Sequence, residues 1–162
     1  MILLSIDPGC EKSAWVLYNT DSPEPIINMG IQENEALIRK FFEEDFDQGF
    51  VDEVVIEMIA SYGMAVGASV FETCVMIGRL VQLFSKLPVS MMYRKDVKMH
   101  LCQSMRAKDA NIRQALIDKL GPPGTKRNPG GTYGVKADMW SALAVAVCFS
   151  ETVNLQKKGE TL

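Results

Sequence analysis

Histidine is almost missing from this chain. His100 is the single one in 162 residues, so a metal centre built from several imidazoles is excluded and a Ser-His-Asp triad would rest on His100 alone. It sits in Lys98-Met-His-Leu-Cys102 with no nucleophile motif beside it, which reads as a structural or surface position. Cysteine is sparse too. Cys10, Cys74, Cys102 and Cys148 lie far apart with no CxxC pair, so they read as reduced, mostly buried thiols and not as a zinc site or disulfide framework. No apolar run has the length of a membrane span, and the apolar start is too short for a signal peptide before it meets Asp7. The expected compartment is the cytoplasm. Gly9-Cys-Glu-Lys12-Ser13 lacks the spacing of a phosphate-binding loop. With no internal repeat and no linker, the chain reads as one domain over residues 1–152 followed by a frayed tail over 153–162.

What is present is unevenly charged. Residues 1–85 carry 4 Lys/Arg against 14 Asp/Glu, whereas residues 86–136 carry 11 Lys/Arg against 3 Asp. A basic block inside a chain of net charge −3 points to a polyanion-binding side, unless these lysines are ordinary solvated helix faces. Lys98, Lys108, Lys126, Arg127 and Lys136 are its candidate nucleic-acid contacts. Lys126 and Arg127 stand at the centre of Gly121–Gly134, a stretch with five glycines and three prolines that is expected to be a mobile loop.

The apolar pattern gives the elements. Met1–Ile6 reads as a strand buried on both faces, stopped by Pro8 and Gly9. Ser13–Tyr18 and Ile26–Ile31 follow as short strands joined by turns, an antiparallel meander. Then come a helix over 33–45, a buried strand over 52–57, a helix over 68–86, a strand over 88–92, helices over 94–103 and 108–120, and a last helix from Lys136 to about Thr152. The helix over 68–86 is apolar around most of its girth, so it needs more than one neighbour. A second copy of the chain or the later helices would supply it.

Three acids mark the ends of apolar elements. Asp7 closes the first strand, Glu57 closes the fourth, and Asp138 opens the last helix with Ser141 three residues on. If the two strands are parallel neighbours, both acids emerge at the sheet edge where α/β proteins bind ligands. Clustered carboxylates repel unless a cation shares the site, and Mg²⁺ takes oxygen ligands and bridges to phosphate. Separate roles as a turn residue, a strand end and an N-cap would account for Asp7 and Asp138 but leave Glu57 unexplained.

Ile-Asp7-Pro-Gly, the strand ending in Glu57, and Ala-Asp138-x-x-Ser-Ala-Leu-Ala resemble the RuvC family of Holliday junction resolvases, most of all its phage and prophage members. The likeness covers roughly residues 1–150 and implies an RNase H-like fold, a five-stranded mixed sheet flanked by helices. It also implies a homodimer that nicks four-way DNA junctions in recombination, repair or phage DNA processing. By the same likeness Asp7, Glu57 and Asp138 are catalytic ligands of Mg²⁺, with Mn²⁺ as a substitute, acting by two-metal hydrolysis. Lys98 then stands near the scissile phosphate, Lys108 near a second such lysine, and Tyr62 where an aromatic stacks on an unpaired base. The chain departs from the family pattern at Ser141, which stands where an Asp or His is the usual fourth ligand. Ser141 holds a metal-bound water in that case, or Asp109 completes the set. The rival readings are a junction-binding protein with little cleavage and an RNase H-like nuclease acting on RNA or simpler branched DNA. An actin- or sugar-kinase-like ATPase would need two such domains.

Overall fold

A computed structural model describes residues 1–42, 48–61 and 63–159. Among the described residues, five strands form one sheet in the order β3-β2-β1-β4-β5. β1 (Ile2–Asp7), β2 (Lys12–Asn19) and β3 (Ile26–Glu33) make the antiparallel meander, and β4 (Glu53–Met58) and β5 (Val89–Tyr93) join it in parallel. Parallel pairing needs crossovers. α1 (Asn34–Phe42) precedes β4, and α2 (Ala68–Leu83) links β4 to β5. α3 (Arg94–Cys102), α4 (Asp109–Leu120) and α5 (Met139–Gly159) follow. This is the RNase H-like mixed sheet that the order of apolar runs predicts. The remainder of the helix expected over 33–45 lies outside the described residues.

Period-two alternation assigns the two faces. Leu4 and Ile6 of β1 and Val54 and Ile56 of β4 point to the face covered by α1 and α2, where Leu37, Phe41, Met76, Ile77, Leu80 and Phe84 complete a core. Leu3 of β1 and Val55 of β4 point the other way, into a second core built on α5 and closed by Val97 of α3 and Ile112 and Leu116 of α4. Residues 142–148 of α5 are all buried, and their alternating alanines let the helix settle close to the sheet. Ser5, fully buried between them, donates to the carbonyl oxygen of Ala142 at 2.7 Å, worth about 1 kcal/mol and more if left unmade.

Four local features differ from the pattern read in the sequence. α5 starts at Met139, not Lys136, because Ala137 takes a left-handed conformation with φ 44° that a right-handed helix cannot contain. It then runs to Gly159, past Thr152, since no glycine or proline interrupts it sooner. The glycine-rich loop is an organised hairpin. Gly124 and Pro129 bridge across it, and buried Thr132 donates to the Gly121 carbonyl at 2.8 Å. Finally, all four cysteines are free, but Cys10 and Cys74 are exposed. His100 meets Glu151 at 2.6 Å, which ties α3 to α5 as a structural position should. No helix among the described residues is long and apolar enough to cross a membrane.

Candidate active site

The parallel pairing of β1 with β4, in register from Leu3↔Glu53 to Ile6↔Ile56, brings Asp7 and Glu57 out side by side at one edge of the sheet. By alternation Asp7 shares the face of Leu3 and Ser5, and Glu57 that of Val55, so both face α5. Asp138 stands just before the first residue of α5, its carbonyl accepting from the backbone N–H groups of Ser141 and Ala142. The left-handed turn at Ala137 aims this end of the chain at the strands, a strained conformation of the kind found where a site dictates geometry.

Glu57 is only 7 % exposed. Burial, the nearby Asp7 charge and a hydrogen bond to Asp7 push its carboxyl up to about 8, against the pull of Arg94. Asp7 is pushed up to about 6, chiefly by burial and next by the charge of Asp138, with Arg94, Ser141 and Glu57 drawing it down. The pair holds a proton near neutrality, first because burial disfavours the ionised forms and next because the acids repel one another.

The cation already present is Arg94, the first residue of α3. β5 lies parallel to β4 with Tyr93 opposite Met58, so Arg94 leaves the sheet at the same edge as Glu57. Its Nη1 donates to Ser141 Oγ at 3.1 Å and lies 3.5 Å from Glu57 Oε1, while Nη2 donates to Asp109 Oδ1 at 2.6 Å. Sequence reasoning passed over Arg94 because its role depends on which strand lies next to β4. The signal available was a basic residue directly after a strand in the crossover that follows Glu57.

The structure thus gathers Asp7, Glu57, Asp138, Ser141 and Asp109 at one edge, with Asp109 joined through Arg94. A cleft of about 460 Å³ opens beside them, lined by Arg94, Asp109, Arg113, Lys136, Asp138 and Trp140 among others. Arg113 lies over the Trp140 ring at 4.8 Å. Lys108 is exposed at the start of α4, next to Asp109. Lys98 is half-buried one turn along α3 from Arg94 and makes no ion pair with a described residue. Lys126 and Arg127 are exposed at the hairpin, away from the cleft lining. Tyr62 lies outside the described residues. A larger groove, about 980 Å³ between α1 and α2, holds none of the acids.

As donors, three carboxylates with surplus negative charge suit a hard divalent cation. Among the described residues no group of three or more His, Cys, Asp or Glu side chains is already arranged as a metal cage. A cation would have to draw Asp138 and the Asp7–Glu57 pair together.

No family model and no curated protein matches the sequence. Solved structures do match. Thermus thermophilus RuvC superposes with a TM-score of 0.74 at 13 % identity, covering 96 % of this chain and 97 % of that one. The same protein in complex with a Holliday junction gives 0.70 at 13 %, over 91 % and 92 %. The fowlpox virus resolvase with Holliday junction DNA gives 0.57 at 12 %, over 93 % and 99 %. At such identities the likeness is one of architecture, and it runs the length of both chains: this protein has the fold of RuvC.

Proposed function

We propose that the chain is a metal-dependent endonuclease that nicks branched DNA, with four-way junctions as its preferred substrate. The observation that carries the reading is the meeting of Asp7, Glu57 and Asp138, from three separate elements, at one edge, where burial and mutual repulsion hold Asp7 and Glu57 well above the usual carboxylate range despite Arg94. The RuvC fold supports the choice of substrate, because the superposed RuvC and fowlpox structures hold Holliday junctions. Asp7, Glu57 and Asp138 would hold Mg²⁺ or Mn²⁺, which supplies positive charge to the phosphate and lowers the pKa of a water. Hydrolysis of the phosphodiester would add a water oxygen to phosphorus and release the bridging ester oxygen with a proton. A cation there would favour the ionised form of Glu57, and Lys136 and Arg113 at the cleft wall would hold the flanking phosphates. Lys126 and Arg127 on their hairpin, with Lys98 and Lys108, extend the basic track along the DNA arms.

A symmetric junction calls for two such sites, and α2 offers the surface for a homodimer. Its Met76, Ile77 and Leu80 are buried, while Phe71 is 61 % and Val75 65 % exposed. The later helices cover the opposite face of the sheet and leave this side open. A second reading, junction binding with little cleavage, is favoured by Arg94, which already neutralises part of the cluster.

A nicking assay on a labelled four-way junction and on duplex of the same sequence, with Mg²⁺ or Mn²⁺, tests both. Nicking confined to the junction, and reduced at least about 10³-fold in Asp7→Asn or Asp138→Asn with junction affinity kept, is the expected result. Near-normal nicking by Asp7→Asn at saturating Mg²⁺ rejects the active site. Tight binding without nicking in either metal selects the second reading.

A further inference from the structure

Arg94 joins three elements at the acidic edge with one side chain: Glu57 at the end of β4, Asp109 at the start of α4 and Ser141 in the first turn of α5. Both terminal nitrogens are engaged. A guanidinium is planar, carries its charge at every working pH, and presents a rigid fork that a lysine could not replace here. Ser141 has no charge with which to hold a divalent ion, and its hydroxyl oxygen is occupied as an acceptor for Nη1. The contacts therefore grade the cluster. A fixed positive charge is seated directly on Glu57, Asp109 and Ser141. It reaches Asp7 only at longer range, and neither Asp7 nor Asp138 is hydrogen-bonded or ion-paired to Arg94.

We propose that Arg94 is a built-in cation occupying the position of a second metal ion, so that the centre takes one divalent ion, between Asp7 and Asp138 and shared with Glu57. The proposal rests on the metal-dependent reading above and changes its stoichiometry. A second ion on the Arg94 side would face the guanidinium at close range and would find one carboxylate already ion-paired, another bound to Nη2 and a hydroxyl in place of a third. Electrostatic support from two cationic groups is kept, but one of them belongs to the chain and cannot be removed by a chelator.

Mn²⁺ binding without DNA decides the matter, by isothermal titration together with the electron paramagnetic resonance signal of free Mn²⁺. The wild-type protein is expected to bind one ion per chain. Ser141→Asp should still bind one, because the new carboxylate pairs with Arg94. Arg94→Met with Ser141→Asp should bind two, with the second site at least tenfold tighter than in Arg94→Met alone. Urea unfolding of each variant establishes that it is folded, and Arg94→Met alone gives the comparison should the double variant fail to fold: any second ion it gains at millimolar Mn²⁺ sustains the proposal, and none overturns it. Two ions on the wild-type protein, two on Ser141→Asp, or one on a folded double variant likewise overturn it. Two ions on a wild-type protein that nicks junctions would remove this inference and leave the nuclease reading standing. No ion and no nicking would remove both.

Discussion

The two faces of the sheet finish differently. On one, α3, α4 and α5 close over a core of small and branched side chains and bring charge to its edge: two protonated-prone acids, an arginine and a strained turn. On the other, α1 and α2 bury large side chains such as Phe41 and Phe84 and then stop, with Phe71, Val75 and Phe42 open to solvent. The first face is complete in packing and incomplete in charge. The second leaves apolar side chains uncovered among the described residues. Each kind of deficit names its own remedy, a cation for one and apolar surface for the other.

The sharpest way to break this contrast is to place a charge on either side of α2. Ile77 is 4 % exposed, so Ile77→Asp should cost more than about 4 kcal/mol and leave little folded protein. Val75→Asp, two residues away on the open side, should leave the urea midpoint near that of the wild type while sedimentation shifts from dimer to a single 18.0 kDa chain. Equal destabilisation by both would mean that the open face is covered within the monomer, and a wild-type mass of one chain would remove the dimer.

The charge deficit predicts a pH dependence. Glu57 is raised from 4.5 to about 8 by burial and by Asp7, so the folded chain binds more protons than the unfolded one between those values. Stability then falls as pH rises through that window. In EDTA, the wild type should lose roughly 2 kcal/mol more between pH 5 and pH 8 than Glu57→Gln, read by urea unfolding at the two pH values. Saturating Mg²⁺ should abolish most of the difference at pH 8. A Glu57→Gln curve parallel to the wild type would show that the acids are already compensated.

The smallest effect concerns the strained turn. Ala137→Gly relieves a left-handed alanine, worth about 1 kcal/mol, and restores freedom to the unfolded chain, which offsets part of it. A net gain of about 0.5 kcal/mol is expected, because Ala137 is exposed and its methyl adds little burial. A loss above about 1 kcal/mol would assign the methyl group a role in placing Asp138.

Much of this was readable without coordinates. Strands buried on both faces show as unbroken apolar runs, and an acid at the end of such a run needs a reason, which marks Asp7 and Glu57; that their strands are parallel neighbours is a condition the sequence leaves open and the sheet supplies. Arg94 did not stand out, because one arginine at a helix start looks like any other until β5 is known to lie beside β4. Ala137 was hidden by its own chemistry, since alanine is the residue least expected to stop a helix. The glycines over 121–134 suggest a mobile loop. Those glycines instead permit close backbone approach, as Gly124 does against the Asn128 and Gly130 backbone. The exposure of Cys10 and Cys74 follows from which face of the turn and of α2 they occupy, a tertiary fact that residue type does not carry.

The hydrogen bond from Ser5 to the Ala142 carbonyl has a mechanical consequence. Ser5 lies two residues before Asp7 on the strand, and Ala142 one turn after Asp138 on the helix. The separation of the two acids is thus spanned by two short, stiff arms that share one pivot. A slip of α5 along the sheet by a single residue would shift Asp138 by about 1.5 Å and would first have to break that bond inside a dry core. A load or tether applied at the far end of α5, near Gly159, meets the pivot before it reaches Asp138, so the spacing of the acids is insulated from whatever pulls on that end of the helix.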